Sequence, residues 1–249
     1  MRMTCTTCIR KAMCSFSFLA VNNRHLKCNH YQLEQNIIDR QFSYFGAEYL
    51  SRPRAIKSSA SSQESNSDDI VQENYEEYFN SLSVIAHNYL LKEIVYKIDK
   101  SINDGYTLPN NLFINVEKFS LLDSSIVDKL VLLTNKYRET GNMLIIEVTE
   151  RHEYLDHLLL QVLPEINDRG LNLALDDFEF RHIKSPMLKY FDYIKIEMEE
   201  LYKHEHVTDY LYILVEQRKK IIAERIENRT QLDFALSLPI HYFQGFFIE

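Results

Sequence analysis

Gly170-Leu-Asn-Leu-Ala-Leu-Asp-Asp-Phe-Glu-Phe180 is the stretch on which the fold turns. An apolar run, Leu171 to Leu175, ends abruptly in two adjacent acids, Asp176 and Asp177. A short apolar run bounded by a glycine reads as a buried strand. Two carboxylates at the end of such a strand are costly unless a cation compensates them. Neighbouring strand residues point to opposite faces, so the two acids share one task only if the strand has already ended. Alone, the pair reads equally well as a polar strand-to-loop junction. Its weight comes from the other strands, which end in the same way.

Downstream, Tyr193 to Ile196 and Lys220 to Glu224 read as strands, with a helical stretch running through Val215 between them. A helix over Arg229 to Leu236 and a final strand over Tyr242 to Phe247 follow. Upstream, strands at Leu112 to Val116 and Met143 to Val148 alternate with helices over Ser124 to Arg138 and His152 to Arg169. Strands alternating with long helices pair in parallel through crossovers. Apolar residues Tyr78, Leu82, Ile85, Tyr89, Ile94 and Ile98 fall near helical spacing, which predicts one long helix from Val71 to Ile102. At the start, His30 to Ile38 and Phe42 to Leu50 lie close enough for a hairpin, and Pro53 stops the second strand. About eight strands and six helices in this order predict an α/β fold, a TIM-like (β/α)8 barrel. A doubly wound sheet would want a Gly-rich phosphate turn after its first strand, and the sequence has none there.

With 249 residues and 45% hydrophobic content, the chain can build one sizeable core. Its formal charge of −8 argues against a long nucleic acid or a polybasic membrane contact, though not against a small phosphate ligand held through metal ions. No apolar run approaches the ~20 residues of a membrane-spanning helix. Arg2, Arg10 and Lys11 precede Met13 to Val21, but that run is short, Ser-interrupted and lacks a cleavage box, so a cytoplasmic protein is expected. All four cysteines, Cys5, Cys8, Cys14 and Cys28, fall in the first 28 residues. Cys5-x-x-Cys8 invites a zinc or redox reading, yet Cys14 and Cys28 with His25 or His30 form no familiar second ligand pair. Residues 1–28 are read as a leader with reduced thiols, and 29–249 as the barrel domain. The Ser-rich stretch Lys57 to Asp69 is read as a loop within it.

The strand ends carry the chemistry. They present Glu48, Asn115, Glu147 with Glu150 just beyond, Asp176 with Asp177, Lys195, Glu224 and Gln244. In a β/α barrel these ends converge on one face, where the active site sits. Hard oxygen donors in that number suit Mg²⁺ or Mn²⁺ rather than zinc. Two cations there would form a two-metal site for phosphoester hydrolysis. Taken singly each residue has a plainer reading. Glu147, Glu150 and Glu224 could be helix-capping acids, Lys195 a core-edge lysine, and Asn115 and Gln244 satisfied amides. Their joint placement is what argues for a site.

These residues fall in motifs that resemble the EAL-domain phosphodiesterases of bacterial cyclic di-GMP signalling. Glu48-Tyr-Leu-Ser-Arg52 looks like Glu-x-Leu-x-Arg, and Tyr31-Gln32 like the Tyr-Gln of the first strand. Ile114-Asn-Val116 looks like the Asn-bearing strand, and Glu147-Val-Thr-Glu150 like Glu-x-Thr-Glu. Asp176-Asp-Phe178, Ile194-Lys-Ile-Glu197, Ala223-Glu-Arg-Ile-Glu227 and Gln244-Gly245 follow in the family's order. The resemblance implies a barrel whose first strand is antiparallel. It implies that Glu48, Asn115, Glu147, Asp176 or Asp177, Glu224 and Gln244 hold or frame two metals. Lys195 would then position a water and Glu224 act as general base, with Gln32 and Arg52 on the substrate and Glu150 bracing the loop after the Asp-Asp strand. The reaction implied is hydrolysis of cyclic di-GMP to linear pGpG.

The same comparison exposes departures. The loop after Asp-Asp-Phe is two residues shorter and begins with Glu179 where the family has Gly. Glu197 replaces Asp, and Arg225 replaces Gly. An alternative therefore stands beside the enzyme: a regulator that keeps the barrel and binds cyclic di-GMP or a protein partner without hydrolysis. A homodimer is a further expectation.

Overall fold

The computed structural model describes residues 30–53, 79, 81–149 and 151–248. The cysteine-bearing leader, the Ser-rich stretch, Glu150 and the proposed boundary at residue 28 lie outside them.

Eight strands close into one barrel in sequence order. They are β1 (His30–Asp39), β2 (Tyr44–Pro53), β3 (Asn111–Val116), β4 (Met143–Val148), β5 (Asn172–Leu175), β6 (Tyr193–Glu197), β7 (Lys220–Glu224) and β8 (Tyr242–Gln244). β1 runs antiparallel to both its neighbours, β2 and β8, and every other pairing is parallel. The expected barrel with a reversed first strand is thus present. Around it lie helices α1 (Val84–Asn103), α2 (Lys118–Leu121), α3 (Ser124–Glu139), α4 (Asp156–Asp168), α5 (Met198–Lys203), α6 (Val207–Glu216) and α7 (Arg229–Ser237).

Two apolar layers hold this together. One lies between the helices and the outer faces of the strands, and includes Leu112, Ile114, Leu144, Ile146, Leu173, Ile194 and Ile196. The other fills the barrel with Ile37, Phe113, Ile145, Ala174, Tyr193 and Ile222. Strand alternation explains the division, since residues one apart face opposite ways. It also places the site. Two residues beyond each inward apolar residue, on the same face, stands a polar one: Phe113 leads to Asn115, Ile145 to Glu147, Ala174 to Asp176, Tyr193 to Lys195 and Ile222 to Glu224. A polar layer therefore caps the apolar plug at the strands' C-terminal ends.

Three elements differ from the sequence reading. The long helix begins at Val84, where Oγ of Ser83 accepts from the Ala86 N–H at 3.3 Å; residues 71–78 lie outside the description. The helical stretch after β6 is two helices, α5 and α6, separated by residues 204–206. The last strand stops at Gln244, because Gly245 packs directly on the backbone of Ile226. A Cβ on Gly245 would lie 2.2 Å from the Ile226 nitrogen, so only glycine permits that approach.

Candidate metal centre

Lys195 sits at the middle of the polar layer and is fully buried. Its Nζ lies 2.7 Å from Oε1 of Glu224, 3.1 Å from Oε2 of Glu48 and 3.5 Å from Oδ1 of Asp176, and it also pairs with Oε1 of Glu147. β2, β4, β5, β6 and β7 thus each contribute to one ionic cluster. Asn115 donates from Nδ2 to Oε1 of Glu48 at 2.5 Å, and Gln244 donates from Nε2 to Oε2 of Glu48 at 2.6 Å. Those two amides leave the Glu48 carboxylate little freedom to turn.

Asp176 and Asp177 both follow β5, which ends at Leu175. The alternation that would separate them has ended too. Asp177 takes a left-handed φ of 46°, which brings the second carboxylate round toward the cluster. The stretch is pinned by three backbone N–H groups. Asp176 donates to the Val148 carbonyl at 3.0 Å and Phe178 to the Lys195 carbonyl at 2.9 Å. Phe180 donates to Oε1 of Glu200 at 2.8 Å.

Crowded carboxylates in a dry site resist ionisation. Burial, followed by the charges of Asp176, Glu224 and Glu197, pushes Asp177 up to about 9. Burial likewise pushes Glu224 up to about 8, although Lys195 opposes it. Glu147 is raised well above the usual carboxylate range, by burial first and then by Glu48. Burial works against the Lys195 ammonium, but Glu147, Glu224, Glu48 and Asp176 together carry it well above a free lysine.

Two triads of carboxylates are spaced to hold an ion: Glu48, Glu147 and Glu224, and Asp176, Asp177 and Glu224. Within each, one ligand atom per residue lies within 4.8 Å of the others, and Glu224 belongs to both. Oε2 of Glu147 and Oε1 of Gln244 are buried without a hydrogen-bond partner. Acceptors so placed ordinarily have a donor or a cation facing them. An all-oxygen set with orphaned acceptors fits hard divalent cations.

Of the residues singled out in the sequence, Glu48, Asn115, Glu147, Asp176, Asp177, Lys195, Glu224 and Gln244 meet at this one mouth. Gln32 and Arg52 enter the description only as backbone, opposite Ser51 and Tyr31 respectively in the β1–β2 ladder. Two contributors went unseen. Gln35 lies directly across from Glu48, and its Oε1 accepts from Nε2 of Gln244 at 3.0 Å. Its signal was available: it stands two residues before the inward Ile37 on the reversed strand. Glu200, which holds the Phe180 N–H, had no such signal.

A family model described as EAL domain matches residues 70–249. The signaling protein YkoW of Bacillus subtilis (strain 168) is 27% identical over 156 residues, which span 58% of this chain and 19% of that protein. The probable cyclic di-GMP phosphodiesterase PdeG of Escherichia coli (strain K12) is 27% identical over 144 residues, 54% of this chain and 28% of that protein. The chain therefore spans less than a third of these curated relatives. Among solved structures, the LapD S helix-GGDEF-EAL protein of Vibrio cholerae without ligand superposes with a TM-score of 0.67 at 18% identity, covering 88% of this chain and 53% of that one. The FimX EAL domain of Xanthomonas citri in complex with c-diGMP superposes with a TM-score of 0.64 at 13% identity, covering 90% and 88%. These likenesses carry the barrel fold.

Proposed function

The chain belongs to the EAL domain family, and on that premise we propose that it hydrolyses cyclic di-GMP to linear pGpG with two divalent cations, Mg²⁺ or Mn²⁺. The observation that carries the reading is the pair of acidic triads that share Glu224 at the barrel mouth. Glu48, Glu147 and Glu224 would hold one ion, and Asp176, Asp177 and Glu224 the other, with Asn115 and Gln244 fixing Glu48. The cations would neutralise the phosphoryl oxygens and acidify the attacking water. Lys195 orients that water through its ammonium. Glu224 would take its proton as the general base. The new P–O bond comes from water, the P–O3′ bond breaks, the leaving oxygen is protonated, and one ring opening yields the linear dinucleotide. The reading carries with it a cytoplasmic location. Among the described residues, no helix is long and apolar enough to cross a membrane.

Purified protein supplied with Mg²⁺ or Mn²⁺ should convert cyclic di-GMP to pGpG, and Glu48→Ala should abolish the conversion. Wild type as silent as Glu48→Ala would overturn the hydrolytic reading. Calorimetric binding of cyclic di-GMP by such a silent wild type would make the chain a nucleotide-binding regulator instead.

A further inference from the structure

At the rim of this mouth stands a cation that the proposed chemistry does not use. Arg225 follows Glu224 directly, and its side chain is 68% exposed. Its φ of 56° lies in the left-handed region, which a non-glycine residue occupies at a cost and which tends to mark functional sites. Its Nη2 lies 2.7 Å from Oε1 of Glu197, the last residue of β6. Glu197 in turn lies close enough to Asp177 for its charge to oppose ionisation of that carboxyl. Glu197 therefore lies between Arg225 and Asp177, both of them left-handed, and holds the guanidinium at the ends of β6 and β7 beside the second triad.

A guanidinium carries five N–H donors in a planar fork. The bond to Glu197 engages one edge and leaves the remainder facing solvent. An exposed ion pair of this kind adds little to folding by itself, so stability does not account for the strained backbone. An anion approaching the triad of Asp176, Asp177 and Glu224 meets this cation on entry, and the fork matches the oxygens of a phosphate. Arg225 is not among the groups that contact Lys195, so its influence falls on binding rather than bond breaking.

Resting on the hydrolytic reading above, we propose that Arg225 is a substrate-binding residue that recognises a phosphoryl oxygen of the phosphodiester substrate as it docks against the second triad.

The full chain and its Arg225→Gly, Arg225→Gln and Arg225→Lys variants test this. Glycine suits the left-handed backbone, so Arg225→Gly removes the guanidinium without straining the fold. Hydrolysis of cyclic di-GMP should show KM raised about tenfold in the Gly and Gln variants with kcat within about twofold, as expected for loss of one charge-assisted contact. Calorimetry of cyclic di-GMP on EDTA-treated protein should show the same loss of affinity, with partial recovery in the Lys variant. Mn²⁺ affinity should be unchanged, and the variants' KM should respond less to added salt than wild type. An unchanged KM and binding affinity in the Gly and Gln variants, or a fall in kcat at constant KM, would overturn the assignment. If wild type binds cyclic di-GMP without turnover and Arg225→Gly binds it more weakly, Arg225 keeps its role and hydrolysis alone is refuted. A wild type that neither binds nor hydrolyses would overturn both.

Discussion

Replacing Lys195 by Met takes away the one ammonium shared by Glu48, Glu147, Asp176 and Glu224 and leaves a side chain of similar length. Removing one partner from a buried ion cluster costs about 3–5 kcal/mol, because the charges left behind are dry and unpaired. The cluster can relieve this only by taking up protons. Glu224, already raised to about 8, and Asp177, raised to about 9, would move higher still. The sign follows. Carboxylates whose folded pKa lies above the unfolded value contribute stability that is complete below the unfolded value and is lost as pH rises through the folded one. The Lys195→Met penalty carried by these two groups should therefore be small near neutral pH and grow as pH rises past about 8 to 9, where wild type has ionised and the variant has not. For a chain of 249 residues that full penalty corresponds to a fall in Tm of roughly 6–20 °C. The chain has no Trp, so urea unfolding is best followed by far-ultraviolet circular dichroism, with linear extrapolation. In the two-cation reading, millimolar Mn²⁺ restores most of the loss, since divalent charge replaces the ammonium. A penalty below about 1 kcal/mol at the alkaline end, or one indifferent to both pH and Mn²⁺, would refute the claim that Lys195 acts as the site's counter-ion.

Other perturbations test neighbouring parts of the argument. Loading EDTA-treated protein with Mn²⁺ near neutral pH should release about two to three protons, because Glu147, Asp177 and Glu224 are all raised and bind metal only as carboxylates; calorimetry in buffers of different ionisation enthalpy reads this number. Gly245→Ala would press a Cβ to 2.2 Å from the Ile226 nitrogen, and should destabilise by about 3 kcal/mol or more, read as a lower urea midpoint. Tyr137→Phe removes a buried donor that reaches the Pro109 carbonyl at 2.6 Å, and should cost about 1–2 kcal/mol in the same unfolding assay with metal affinity untouched.

How far the sequence reveals this arrangement depends on what kind of regularity each feature obeys. The barrel is legible because alternation of strand and helix repeats through the chain, and because five consecutive parallel strands, β3 to β7, carry their polar residue two places past an inward apolar one. Asp176 and Asp177 are legible as a pair, although their joint aim depends on a left-handed Asp177 that the residue type does not announce. Gln35 is harder to see. β1 carries Gln32 and Gln35, three apart and so on opposite faces of a regular strand, and the choice between them depends on knowing that Ile37 faces inward, which puts Gln35 on the face across from Glu48. The early end of β8 follows from one close backbone approach, which composition cannot show. Glu200 is invisible for a different reason. Its partner is a backbone N–H twenty residues earlier, and a backbone donor leaves no mark in the sequence.

That last contact bears on whether the shortened loop disables the site it borders. The N–H groups that fix Asp176 and Phe178 are held by carbonyls of Val148, at the end of β4, and Lys195, within β6. Both anchors belong to the barrel, and both act before Glu179, where the loop departs from the pattern it resembles. Beyond that point the chain substitutes its own fastening. Phe180 is buried, stacked on Tyr210 at 5.1 Å and meeting His204 edge-on at 5.2 Å, while Glu200 holds its N–H and the His204 ring. A loop stapled by an aromatic slot and a buried carboxylate does not pull on the residues before it. The two triads and the loop are thus separately supported, so a change in loop sequence alters what surrounds the mouth while leaving the two triads where β2, β4, β5 and β7 put them.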